Sequence, residues 1–237
     1  MQAFAQSDIG MVRKTNEDSF VFLPPHLFVV ADGMGGHVAG EIASSLGANT
    51  IRECIAKNSD QSDWEQALKE AIIEANTSIY QMSQSQSECQ GMGTTVTAVY
   101  LDNTEVYWSH VGDSRLYLIR ENSLHQITSD HSLVWELMQN GSITSEEAQV
   151  HPHRNILTRA VGTSDTLKVD SGKFLSHLGD NLLLCTDGLT NMLSEDNILS
   201  ICTQPDNPET IVNTLVEQAR QAGGHDNITA ILLQFGN

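Results

Sequence analysis

Four aspartates in this chain share an uncommon setting. Asp32, Asp113 and Asp187 each close an apolar, strand-like run and each neighbours a glycine, namely Gly33, Gly112 and Gly188. Asp226 stands just before the last strand-like run, after Gly223-Gly224. Strand ends fix side chains on the rim of a sheet, and glycine lets backbone carbonyls approach a ligand closely. Carboxylates gathered at one rim repel one another unless a cation neutralises them. Oxygen-only ligands select a hard divalent ion, so Mg2+ or Mn2+ is the expected guest. One Asp-Gly reads as an ordinary turn; four acids at strand ends read as a metal centre.

Other chemistries fit less well. The chain has no D-x-D, which excludes an EF-hand loop and an aspartyl-phosphate phosphatase. Cysteines stand at 54, 89, 185 and 202 without a C-x-x-C pair, which excludes a zinc ribbon or finger. Six positions after them come Asp60, Thr95, Asn191 and Pro208, none of them arginine, so a cysteine-loop tyrosine phosphatase is excluded. No P-loop occurs, and neither Gly33-Met34-Gly35-Gly36 nor Gly91-Met92-Gly93 completes a dinucleotide fingerprint. His151-Pro152-His153 has no cysteine or third histidine nearby in sequence.

The elements that must carry these acids follow from periodicity. Leu27–Ala31 and Asn181–Thr186 are apolar runs predicted as buried strands ending at Asp-Gly. Residues 40–57, and then Trp64 through Met82, show helical spacing, and Glu65-Lys69 on the second is a favourable i,i+4 pair. Thr94–Leu101 and Thr104–Val111 are predicted strands joined at Asp102-Asn103; Arg115–Arg120 and Ser123–Ile127 repeat this around Glu121-Asn122. Helices are predicted at about 195–203 and 208–222, then a strand over 228–235. Residues 129–155, a short helical piece followed by a His- and Pro-containing loop, form a candidate flap. Antiparallel hairpins with helices in separate pairs indicate an α+β fold in one domain over 1–237.

Composition narrows the partners. The 237 residues hold 12 Lys+Arg against 30 Asp+Glu, a formal charge of −18, while only 18% are charged. So few basic residues cannot build a phosphate-neutralising stripe, so no nucleic acid is expected, nor an anionic membrane surface. The 40% hydrophobic content argues against disorder. No apolar run would span a bilayer, and the start lacks a basic n-region with an apolar core. Reduced thiols, a cytoplasmic location and a monomer are the expectations.

Eight segments, in order along nearly the whole chain, complete the picture: Arg13-Lys14-Thr15-Asn16-Glu17-Asp18, Asp32-Gly33-Met34-Gly35-Gly36-His37, Gly93-Thr94-Thr95, Val111-Gly112-Asp113-Ser114-Arg115, Thr128-Ser129-Asp130-His131-Ser132, Leu157-Thr158-Arg159-Ala160-Val161-Gly162, Cys185-Thr186-Asp187-Gly188-Leu189 and Gly224-His225-Asp226-Asn227-Ile228-Thr229. With them the chain resembles the metal-dependent serine/threonine protein phosphatases of the type 2C (PPM) family in their short bacterial form. The resemblance implies a four-layer α-β-β-α sandwich, two central antiparallel sheets flanked by helix pairs. It makes Asp32 a bridge between two metal ions, with the Gly33 carbonyl on the first and Asp187 and Asp226 on the second. Asp113, with Asp187, matches a weaker third-ion site. Glu17 and Asp18 match an acidic pair contacting the metals partly through water, and Arg13 matches the arginine that grips the substrate phosphate.

The implied substrates are phosphoserine and phosphothreonine on proteins. Paired divalent ions can activate a water for in-line attack, so no phosphoenzyme is required. Arg13 would hold two phosphate oxygens with its planar fork, and His37, five residues past Asp32, is the candidate general acid. Two alternatives remain open on sequence: hydrolysis of small phosphomonoesters, and a catalytically silent, metal-bound regulatory module.

Overall fold

The computed structural model describes residues 1–35, 39–57 and 63–236. Strands β1 (Gln2–Asp8), β7 (Arg115–Arg120), β8 (Ser123–Gln126), β10 (Asn181–Cys185) and β11 (Ile228–Gln234) form one sheet in the order β1-β11-β10-β7-β8. The other sheet runs β2 (Asp18–Leu23), β3 (Leu27–Met34), β5 (Val96–Asp102), β6 (Glu105–Val111) and β9 (Asp170–Leu175), with the short β4 (Gly93–Thr94) paired to the end of β3. All strand pairs are antiparallel.

The apolar runs are continuous because both faces of the central strands are covered. In β10, Leu182 and Leu184 point into the space between the sheets, where they meet Phe28, Val30, Val99 and Ile231. Leu183 and Cys185 point the other way, onto α6 (Glu195–Cys202) and α7 (Pro208–Gln221). In β3, Phe28 and Val30 face the inter-sheet core, whereas Val29 and Ala31 face α1 (Ala39–Lys57) and α2 (Trp64–Ser85). Period-2 alternation thus serves two cores at once and generates four layers, α-β-β-α. The outer helices begin where the sequence caps them: Asp63 before α2, Ser194 before α6, and Asn207 with Pro208 before α7.

Three differences from the sequence reading have physical causes. The first hairpin turns at Asn103-Thr104, because Asp102 pairs with Glu105; Asn103 supplies the left-handed residue, φ 54°. The strands β1, β2 and β9 escaped prediction. β1 and β9 are edge strands whose residues are mostly half-buried, so neither presents the alternation of a covered strand. The segment 129–155 contains two helices, α3 (Leu133–Gln139), which has no buried residue, and α4 (Ser145–Gln149), opened by a Thr144–Glu147 capping box. Among the described residues no helix is long and apolar enough to cross a membrane, and the four cysteines are free.

Candidate metal and phosphate site

Antiparallel register sets two carboxylates opposite each other: Asp18 at the head of β2 pairs with Asp32 in β3. β3 does not stop at Asp32; Gly33 and Met34 continue the ladder against Thr94 and Gly93. Thr94 and Thr95 pin the Asp32 backbone. Its carbonyl accepts from Thr94 Oγ1 at 2.9 Å and Thr95 N–H at 2.8 Å, and its N–H donates to Thr95 Oγ1 at 2.9 Å. Asp113 follows β6 where the chain crosses to β7 in the other sheet; Asp187 opens α5 (Asp187–Thr190) directly after β10, and Asp226 lies just before β11. Both sheets therefore contribute, and the acids meet at the seam between them. Asp18 spans that seam, its Oδ2 accepting from Thr186 Oγ1 at 2.9 Å and Thr229 Oγ1 at 2.6 Å.

The electrostatic result is a set of carboxylates that resist ionisation. Burial, opposed by the hydroxyls of Thr229 and Thr186 and reinforced by Asp187 and Asp226, pushes Asp18 up to about 7. Burial raises Asp32 well above the usual carboxylate range, and repulsion from Asp18, Asp187, Asp113 and Asp226 adds to it. Asp113 moves the same way through burial and the charges of Asp187 and Asp130, with Arg115 opposing. Asp187 is raised by burial and Asp226, partly offset by hydrogen bonds involving Asp32 and Asn191. Among the described residues the Oδ1 atoms of both Asp18 and Asp187 are buried with no hydrogen-bond partner, an expensive state for a carboxylate oxygen. A divalent cation cancels both penalties, so the donor set fits a hard ion. Among the described residues no three His, Cys, Asp or Glu side chains close into a compact cage. Ions that keep part of their own water shell, as Mg2+ does, match such a lining.

Backbone packing brings the remaining predicted residues in. A Cβ on Gly33 would collide with the carbonyls of Gly40 and Glu17, so only glycine lets β3 lie this close to the start of α1. Gly112, at φ 113° against Thr95, turns the chain so that Asp113 follows β6 at the seam. The Glu17 carboxylate lies against Gly40 at the N-terminal end of α1, where the helix dipole favours negative charge. Arg13 Nη2 reaches Asp226 Oδ2 at 2.7 Å, and nearly half of the arginine side chain remains exposed. Partial burial works against its charge, but the hydrogen bond and attraction from Asp226 outweigh this and raise its pKa. His37 lies outside the described residues.

Two features escaped the motif reading as roles. Asn227 ties the Arg13 loop to the Glu17 backbone: its Oδ1 accepts from Glu17 N–H at 2.8 Å, and its Nδ2 donates to the carbonyls of Ile9 and Thr15, each at 3.0 Å. His131 supports the turn before Asp113. Its Nδ1 accepts from Gly112 N–H at 3.0 Å, which leaves the Nε2 proton for Asp170 Oδ2 at 3.2 Å, and Arg159 holds Asp170 from the other side at 2.8 Å. Burial, opposed by Asp170, lowers the His131 pKa, consistent with a neutral ring in that tautomer. Both residues stand in the quoted motifs, yet spacing alone does not reveal a hydrogen-bond brace.

The family model described as protein phosphatase 2C matches residues 14–230. The chain belongs to the protein phosphatase 2C family. The protein phosphatase PhpP of Streptococcus pneumoniae is similar, at 38% identity over 243 residues that cover 99% of this chain and 98% of that protein. The serine/threonine phosphatase stp of Listeria welshimeri is 37% identical over 241 residues, covering 99% and 96%. A solved structure, the catalytic domain of the serine/threonine protein phosphatase PstP in complex with two manganese ions, matches at a TM-score of 0.91 with 33% identity, covering 100% of this chain and 98% of that one. This type 2C chain is thus an enzyme, a protein phosphatase, and its two antiparallel sheets with flanking helices are those of its solved relatives.

Proposed function

We propose that this enzyme hydrolyses phosphoserine and phosphothreonine monoesters on proteins, with Mg2+ or Mn2+ held by its seam carboxylates and without a phosphoenzyme. The observation that carries the reading is the convergence of Asp18, Asp32, Asp113, Asp187 and Asp226, mutually repelling and partly unsatisfied, beside an arginine. The relative bound to two manganese ions supports the same donor chemistry. Asp32 with the Gly33 carbonyl, Asp187 and Asp226 would hold two ions, Asp113 with Asp187 a weaker third, and Glu17 and Asp18 would contact them partly through water. Bound there, the ions supply Lewis acidity and a water of lowered pKa.

The chain's own residues then do the rest. Arg13 presents a planar fork suited to two phosphate oxygens at once, a geometry lysine lacks. Its bond to Asp226 fixes that fork beside the metal carboxylates before substrate arrives. Asn227 holds the loop on either side of Arg13 and the Glu17 backbone in one frame. His37 is assigned proton donation to the leaving serine or threonine oxygen, on its sequence position after Asp32. The test is a divalent-metal titration on a phosphopeptide panel, with free nucleotides and sugar phosphates alongside. Mn2+- or Mg2+-dependent phosphate release from the peptides is expected; full activity in excess EDTA, or turnover confined to the small esters, refutes the proposal.

A further inference from the structure

We infer that the loop carrying Arg13 also reads the sequence around the phosphorylated residue: Ile9, Met11 and Val12 form an apolar lip that receives an aliphatic or aromatic side chain one or two positions from the phosphoserine or phosphothreonine. This rests on the phosphatase reading of the site. Of the large apolar side chains exposed among the described residues, three fall within four consecutive positions here, with Ile9 38%, Met11 62% and Val12 61% exposed, and Arg13 comes next in the chain. Nothing in the fold of the loop requires these residues to face solvent, because its order comes from backbone bonds. Met11 N–H donates to the Gly224 carbonyl at 2.8 Å, Gly10 N–H to Asp8 Oδ1 at 2.8 Å, and Asn227 Nδ2 to the Ile9 carbonyl at 3.0 Å. The Met11 stem lies on Gly224, and its sulfur takes an Arg220 N–H at 3.6 Å. Apolar tips on a fixed backbone lose little order when they bind.

Reach and charge identify the occupant. A residue one or two places from the phosphorylated one lies at most about 3.5–7 Å along its chain, the same upper limit that holds for Val12 and Met11 from Arg13. The formal charge of −18 on the chain disfavours an acidic flank and leaves an apolar one unopposed. A second copy of the chain would bring its own formal charge of −18 to an equally acidic surface. A phosphorylated peptide with an apolar flank meets neither obstacle.

The test uses two phosphothreonine peptides that differ only in carrying leucine or serine at the positions flanking the phosphothreonine, assayed with Mn2+. For the wild-type enzyme, kcat/KM favours the leucine peptide by about tenfold, mostly through KM, as partial burial of one such side chain implies. In Met11→Ser/Val12→Ser the ratio falls to about two or less. Leu178→Ser, which changes an exposed leucine in the loop before β10, keeps the wild-type ratio. Equal turnover of both peptides by the wild type, or an unchanged ratio in the double variant, overturns the lip while leaving the phosphatase reading intact. Absence of Mn2+-dependent release from either peptide overturns the phosphatase reading and the lip with it. A leucine preference that disappears only together with a dimer in sedimentation overturns the peptide occupant in favour of a second copy.

Discussion

β10 carries an aspartate at each end, and the two behave in opposite ways. Asp180, just before the strand, accepts from Arg120 Nε at 2.9 Å, Arg120 Nη2 at 2.7 Å and the His177 N–H at 2.7 Å. Burial would raise its pKa, but these partners win and lower it. Asp187, just after the strand, has a buried oxygen with no partner among the described residues and acidic neighbours, and its pKa rises. The strand between them is only five residues, about 17 Å long. One end of the sheet is therefore built as a closed ion pair and the other as an open anionic lining. Burial is common to both; the difference lies in whether the chain itself supplies the counter-charge.

The sharpest way to break this contrast is to remove each acid in turn. Asp187→Ala is expected to lower metal-dependent kcat by about 10³-fold or more, the scale of losing several kcal/mol of transition-state stabilisation, with little loss of fold by circular dichroism. Wild-type turnover in that variant would contradict the assignment. Asp180→Ala should do the reverse, costing about 2 kcal/mol in urea unfolding because a paired, buried carboxylate is lost, while the folded fraction keeps its turnover.

A subtler test adds back what the open end lacks. The raised pKa of Asp18, about 7 against an ordinary value near 4, means that its contribution to stability is present at low pH and lost as pH rises through 7. Asp18→Asn keeps the shape without the charge. In chelator at pH 8 it should raise Tm by about 2–4 °C, corresponding to about 1 kcal/mol at this chain length, and the gain should vanish towards pH 4. Unchanged or lower Tm at pH 8 would mean that the hydroxyls of Thr186 and Thr229 already compensate the carboxylate.

The smallest effect concerns His110, buried beside His131 with its Nδ1 on Thr97 Oγ1 at 2.9 Å and its Nε2 unpartnered among the described residues. Burial, with repulsion from His131, lowers its pKa to about 3. Its contribution is then full above about pH 6.5 and is lost as pH falls towards 3. The stability gap between wild type and His110→Gln should narrow by about 1 kcal/mol between pH 7 and 5.5, read from urea midpoints; a constant gap would show that the ring titrates alike in the folded and unfolded chain.

Legibility from sequence followed the same divide. Asp32, Asp113 and Asp187 were legible because an apolar run ending in an acid beside a glycine is a local pattern, and Asp226 because it stands between a glycine pair and the last apolar run. The central strands and long helices were found for the same reason. Asp18 and Glu17 needed the family motif, since the strand that Asp18 opens pairs with β3 alone and gives no clean alternation. Asn227, Thr95 and His131 act through hydrogen bonds to residues distant in the chain, Glu17 N–H, Asp32 N–H and Gly112 N–H. No periodicity encodes such partners. The turn at Asn103-Thr104 slipped by one residue because either neighbouring pair satisfies the hairpin signal.

The pairing of β1 with β11 also governs when the enzyme can exist at all. β1 lies at the edge of its sheet, and among the described residues its sole ladder partner is β11, with Gln2 opposite Gln234 and Asp8 opposite Ile228. During vectorial synthesis the first strand must wait for the last, and Asp226 and Asn227 emerge only just before it. A ribosome-bound chain carries Arg13, Asp18 and Asp32 well before the residues that frame them. Dephosphorylation therefore waits for the strand that follows Asp226, so a nascent chain stalled before Ile228 should release no phosphate from a phosphopeptide in Mn2+.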